Sequence, residues 1–258
     1  MKDISIYQLI SSYLFVIILL FIVRKRGIER EKEILIASIR MSLQLMIMGY
    51  ILVYIIENPS PLLTLLILIF MEGFSIYNIY KRAKVNIKFK LKIAIAISMI
   101  IGTVLSIAYF LFVIINIYPW FNPRYFIPIA GMFIGNSMTG VSLGVNRLVD
   151  DIRKRKDEIE AALMLGATPK MAVKNIIDSA FDSSILPTVN SMVGMGIVFL
   201  PGTMTGQILS GTWPLVAIKY QISIMLGVLG SVAITVMIFL YFGYKTYFND
   251  EAQLVVDE

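Results

Sequence analysis

The chain has 258 residues, 58% of them hydrophobic and 16% charged, with a mean hydropathy of +0.80, against about 45–50% apolar and about 25% charged for an ordinary soluble chain, so water is the wrong solvent for it. Its net charge of +6 comes from Lys and Arg gathered into short stretches, a pattern that fits membrane-flanking loops and anionic lipid headgroups rather than nucleic acid. With no Cys and no His, disulfides, zinc sites of the usual kind, Cys or Ser-His nucleophiles and imidazole proton shuttles are excluded together.

A hydrocarbon core about 30 Å thick needs roughly 20 apolar residues in helical form. Seven runs qualify: Ile4 to Val23, Ile34 to Ile56, Leu62 to Ile79, Ile93 to Ile117, Phe126 to Asn146, Ile185 to Leu209 and Ile218 to Phe242. The first ends in Arg24-Lys25-Arg26 and is expected to remain as a helix, not to be removed as a signal peptide. Backbone groups find no water partner in lipid, and the runs lack the strict alternation of a membrane barrel. The expected fold is therefore an all-α polytopic membrane protein of about seven transmembrane helices, a single domain over residues 1–258.

Orientation follows from the loops. Arg24, Lys25, Arg26, Arg30 and Lys32 follow the first run, whereas Glu57-Asn58-Pro59-Ser60-Pro61 after the second has no basic residue. Lys81, Arg82, Lys84, Lys88, Lys90 and Lys92 follow the third, and only Arg124 follows the Pro119-Trp120-Phe121-Asn122-Pro123 turn. The next connection carries Arg147, Arg153 to Lys156, Lys170 and Lys174, and the tail begins with Lys245. Basic loops stay in the cytoplasm, which predicts the N-terminus outside and the C-terminus cytoplasmic, in the cell (cytoplasmic or inner) membrane.

Two charges fall inside the runs, Arg40 and Glu72. A lone charge at mid-membrane costs on the order of 2.5–3.5 kcal/mol on insertion scales, so each needs a partner. Either the two pair, or Arg40 binds Gln44 and backbone carbonyls; a structural pair and a place on the substrate route are both open. The sixth run carries Pro187 and Pro201, each of which removes a helical hydrogen bond. Its expected interruption makes Asn190, Ser191, Met192, Met195, Met204 and Gln207 candidates for the pathway and outer gate, beside ordinary small-residue packing with Met as filler. Asn136, within Gly135-Asn136-Ser137, is a further pathway candidate. That tripeptide also suggests a serine nucleophile, but the chain has no His to activate one.

Between the fifth and sixth runs lies a cytoplasmic segment, about 150–183, that reads as helix, turn, helix. Asp150 and Asp151 can cap the first helix; Ile152, Ile159 and Leu163 share a face; Arg153 with Asp157, Lys154 with Glu158 and Lys156 with Glu160 are i,i+4 pairs. Gly166-Ala167-Thr168-Pro169 supplies a left-handed stop, a cap and a first-turn proline. In the second helix Lys170, Lys174, Asp178 and Asp182 form a polar stripe, with Met171, Ile176, Ala180 and Phe181 away from it. By physics alone this corner either docks on a cytoplasmic partner or is a solvated or surface-lying hairpin.

Glu160-Ala161-Ala162-Leu163-Met164-Leu165-Gly166 resembles the EAA-x-x-x-G signature by which permease subunits of ATP-binding-cassette transporters engage their ATPases. Further stretches resemble the bacterial iron-export permease family, which includes plant aluminium-tolerance proteins. They are Arg40 to Leu45, Ile127 to Met132, Gly135 to Met138, Leu165 to Pro169, Leu186 to Ser191, Leu200 to Gly206 and Ala217 to Ile222. Leu186-Pro187 stands farther beyond Gly166 than in the importer form of the signature, so importer geometry does not carry over.

The resemblance implies a permease, two copies per transporter, exporting a metal ion, with iron suspected. It assigns ATPase coupling to Glu160, Ala161, Ala162, Leu165, Gly166, Ala167, Thr168 and Pro169. No phosphate-binding Gly-x-x-x-x-Gly-Lys-Ser/Thr loop occurs, so this chain is expected to hold no cofactor, with ATP and Mg bound by a partner ATPase. Alternatives are an ion-gradient-driven secondary transporter, disfavoured by a single intramembrane acid and no evident repeat, and, less fitting still, an intramembrane enzyme.

Overall fold

The computed structural model describes residues 5–83 and 87–255; Ile4 of the first run and Lys84 of the third loop lie outside the described residues. The chain packs as two compact units, Met1–Pro59 and Ser60–Glu258. Apart from two isolated bridge pairs, no strand forms among the described residues.

The first unit is a pair of helices, α1 (Ile6–Lys25) and α2 (Glu31–Glu57). Ser5 opens α1 with a capping box: its hydroxyl accepts from the Gln8 amide and its own amide donates to the Gln8 side chain at 3.0 Å. Arg24 and Lys25 close α1, and Glu31 and Glu33 begin α2, so both termini carry the charge that their helix dipole favours. The Tyr13 and Ser42 hydroxyls bond across the pair.

The second unit begins with α3 (Pro61–Arg82) and α4 (Phe89–Tyr109), which runs on through a π-helical turn at Phe110–Ile115. Next come α5 (Pro123–Lys154), α6 (Lys156–Met164), α7 (Pro169–Ala172), α8 (Lys174–Gly194), α9 (Gly202–Leu209) and α10 (Pro214–Gly243), closed by a 3₁₀ turn at Tyr244–Tyr247. The core lies where α10 packs on α4, α5 and α8, while α5 also contacts α3 and α8. Phe110, Phe133 and Phe239 are fully buried there, and the rings of Phe110 and Phe133 lie 5.1 Å apart.

The approach of α4 to α10 is set by Gly102. A Cβ at that position would stand 2.3 Å from Thr235 Oγ1 and 2.7 Å from Thr235 Cα, so only a residue without a side chain admits this crossing.

Among the described residues, six helices are long and apolar enough to cross a membrane: α1, α2, α3, α4 with its π turn, α5, and α10 with its 3₁₀ turn. The expected sixth run, Ile185 to Leu209, is not a single helix. Pro187 lies inside α8 without ending it, and the break falls instead at Met195–Pro201, where Gly196 has φ +84° and its amide bonds to the Phe199 carbonyl. Pro201 then caps the short α9. Two further boundaries are corrected. Asp150 and Asp151 start no helix, because α5 continues through them to Lys154, and α8 joins the second half of the polar segment to the first part of the sixth run without interruption.

Candidate functional site

The α6–α7 corner is built by its sequence. Gly166 has φ +91°, in the left-handed region that a glycine enters without cost, and its amide bonds to the Leu163 carbonyl, ending α6. Thr168 then accepts from the Met171 amide at 3.4 Å, and Pro169 occupies the first position of α7. Ile152, Ile159, Val173 and Ile176 are buried beneath the corner, and Leu163 packs against them. This inner apolar face fixes the corner on the cores of α5 and α8.

The outer face is apolar as well. Met164 is 85% exposed, Leu165 89% and Met171 68%. Met171 thus stands apart from the buried Ile176 and Ala180 with which the sequence groups it, because the chain leaves helical geometry at Val173 (φ −105°, ψ 10°). Ala161 is exposed and Ala162 and Ala167 are half-buried, so no bulky side chain screens the tip.

The charged flank differs from expectation in register. Lys156 and Glu160 pair at 3.8 Å, but Arg153–Asp157 and Lys154–Glu158 do not, because the break at Arg155 interrupts the i,i+4 spacing; Arg155 bonds to Glu158 at 2.8 Å instead. Asp151, 8% exposed, is paired with Arg147 at 2.9 Å, and Arg147 also donates to Ser179 Oγ at 3.1 Å. Arg147 thereby ties α5 to α8 just behind the corner. The i,i+4 spacing of Arg147 and Asp151 could have pointed to the ion pair, whereas Ser179, 32 positions away, is brought in only by the fold.

Along the membrane part of the second unit, polar side chains meet between helices. Glu72, 6% exposed, is in hydrogen-bonding contact with Thr103 of α4 through Oε1, and its Oε2 has no partner. Ser75, one turn on, is buried with its hydroxyl unpartnered, as is the Thr235 hydroxyl facing Gly102. The Ser137 and Ser231 hydroxyls bond at 3.1 Å between α5 and α10. Ser137 of the Gly135-Asn136-Ser137 stretch is thus a buried structural hydroxyl, while its neighbour Asn136 is exposed and donates to the Met132 carbonyl. In the first unit, Arg40 and Gln44 stand one turn apart on α2.

The gate candidates are divided between two helices: Pro187, Asn190, Ser191 and Met192 lie on α8, and Met204 and Gln207 on α9, with Met195 and Pro201 at the ends of the intervening turn. Met204 is buried against its surroundings; Pro187 and Asn190 are exposed. Pinning α9 is a contact the sequence does not reveal: Thr203 donates to Gln221 Oε1 of α10 at 2.6 Å, and Gln221 is 5% exposed. Gln221→Leu removes this acceptor, so amide hydrogen exchange of residues 195–209 should speed by about fivefold or more, equivalent to one lost buried hydrogen bond of about 1 kcal/mol. Unchanged exchange would show that α9 is held by apolar contact alone.

Among the described residues no group of three or more acidic, His or Cys side chains converges to hold a metal ion.

Membrane-length apolar helices with a polar seam between them define a multi-pass membrane protein. The family model described as "Uncharacterised protein family (UPF0014)" matches residues 6–248, and the chain belongs to that family. It is 38% identical to UPF0014 membrane protein YjkA of Bacillus subtilis, over 96% of this chain and 97% of the relative. It is 35% identical to the probable iron export permease protein FetB of Escherichia coli, over 97% and 95%. To the protein ALUMINUM SENSITIVE 3 of Arabidopsis thaliana it is 34% identical, over 95% and 88%. No solved structure matches the chain.

Proposed function

We propose that this chain is the membrane-spanning subunit of an ATP-binding-cassette exporter, driven by a separate cytoplasmic ATPase and working as a homodimer. The observation that carries the reading is the α6–α7 corner: Met164 and Leu165 are almost fully exposed on a rigid turn whose inner face is buried. Exposed apolar side chains on a fixed mount are what a partner's pocket takes up. Arg147 and the buried Val173 and Ile176 supply the stiffness by which a push on the corner moves α5 and α8 together.

In this reading the N-terminus is outside and the C-terminus cytoplasmic, in agreement with the distribution of Lys and Arg. Seven crossings then require α8 to make the sixth. Its 21 residues span about 30 Å; Ile176, Ala180, Ser184 and Thr188 are buried and the helix packs on α5 and α10, while the exposed Lys174, Asp178 and Asp182 at its start stay with the cytoplasmic segment, so the crossing is made by its later part and the chain beyond it. The turn at Met195–Pro201 and α9 would then form the outer gate.

Metal-ion export, with iron as the first candidate cargo, is drawn from the name of the Escherichia coli relative. The test is to co-express the chain with the ATPase encoded beside it, purify the complex, reconstitute it in sealed vesicles and measure ATP-dependent movement of iron. An ATPase that neither co-purifies nor is stimulated by the permease would sink the reading; a stimulated ATPase with no iron movement would leave the assembly standing and change the cargo.

A further inference from the structure

We propose that Glu72 is an exchangeable proton site, holding its proton in the conformation described here. The argument begins with counting protons. Thr103 Oγ1 lies 2.7 Å from the Met99 carbonyl and also in hydrogen-bonding contact with Glu72 Oε1. A hydroxyl has one proton to give. With Glu72 protonated, the carboxyl donates to Thr103 and Thr103 donates to Met99, so each contact has its own proton; with Glu72 ionised, the one hydroxyl proton is shared between two acceptors.

Charge leads to the same assignment. Glu72 is 6% exposed, its Oε2 is unpartnered, and it forms no ion pair within its unit. The helices around it carry their charges elsewhere. On α3 these are Lys81 and Arg82; on α4, Lys90 and Lys92; on α5, Arg124 and the residues from Arg147 onward; on α10, Lys219. The nearest tyrosines along α3 and α4, Tyr77 and Tyr109, are 56% and 61% exposed. A carboxylate here would be a buried charge with one donor and, within its unit, no counter-charge, whereas the neutral acid leaves only a carbonyl oxygen unsatisfied.

The site can also let its proton go. The hydroxyls of Ser75, one turn along α3 from Glu72, and of Thr235, which faces Gly102, the residue before Thr103, are buried and unpartnered, so hydrogen-bonding capacity is unspent on the helices that carry this contact. When water reaches the site, the Glu72 O–H bond breaks and the proton passes to water, leaving the carboxylate.

The test is infrared difference spectroscopy on the full chain in lipid nanodiscs at neutral pH. The wild type should show a protonated-carboxyl C=O band that shifts in D2O and is absent from Glu72→Gln, a variant that keeps shape and neutrality. Thr103→Val, which removes the hydroxyl at constant volume, should move the same band to higher frequency. The proposal is overturned if Glu72→Gln removes only a carboxylate band, if Thr103→Val leaves the acid band in place, or if the band does not respond to D2O. The readout requires no ATPase, so it stands or falls separately from the transporter assignment.

Discussion

Leu165→Asp is expected to reduce capture of the ATPase subunit by at least about 30-fold, the equivalent of losing a contact worth about 2 kcal/mol, while the permease itself melts as the wild type does. The asymmetry follows from position. Leu165 is 89% exposed at the end of α6 and contributes nothing to the core, and exposed substitutions without special contacts change stability by about 0.5 kcal/mol or less. A carboxylate placed where an apolar pocket must close would be desolvated without a partner.

Gly166→Val acts on the same surface by a different route. Nothing lies within 4 Å of a Cβ there, so the whole penalty is the left-handed backbone, about 1–2 kcal/mol, and the corner relaxes away from the geometry that presents Met164 and Leu165. Capture assays on both variants, read beside their thermal midpoints, decide the matter: undiminished capture in Leu165→Asp would remove the docking assignment.

The largest stability effect is expected at the α4–α10 crossing. Gly102→Ala sets a methyl group 2.7 Å from Thr235 Cα, and because the obstruction is backbone, no side-chain rotation relieves it. The helices must move apart, at a cost of about 1–3 kcal/mol for overpacking. Separation would also disturb Thr103, the next residue, and its bond to Glu72. Gly230→Ala, on α10 with open space around it, is the matched control, expected to be neutral or slightly stabilising because alanine is the better helix former by about 1 kcal/mol. Thermal midpoints of the two variants in the same lipid nanodiscs should separate clearly; equal midpoints would mean that the crossing is looser than its geometry states.

Much of this molecule is written in local chemistry. Runs of apolar residues long enough for a bilayer announced α1 to α5 and α10, because in lipid a helix is the form that satisfies its own backbone. Gly166, Thr168 and Pro169 announced the corner, because a left-handed stop, a hydroxyl cap and a first-turn proline act through neighbours only a few residues away. The resemblance carried by Arg40 to Leu45 and by the stretches from Ile127 to Ile222 supplied the family.

Other features depended on contacts between residues far apart in sequence. Pro187 looked like a helix break, yet α8 passes through it, held by packing against α5 and α10. The break falls at Met195–Pro201, at the second of the two prolines expected to interrupt the run. Glu72 was visible as a charge in a membrane run, but its partner, Thr103, lies 31 residues away on another helix. Length, helicity and the corner's shape were thus determined by the sequence itself, whereas the meeting of Glu72 with Thr103, of Gly102 with Thr235 and of Thr203 with Gln221 was decided only by the tertiary structure, since those pairings exist only once the helices have crossed.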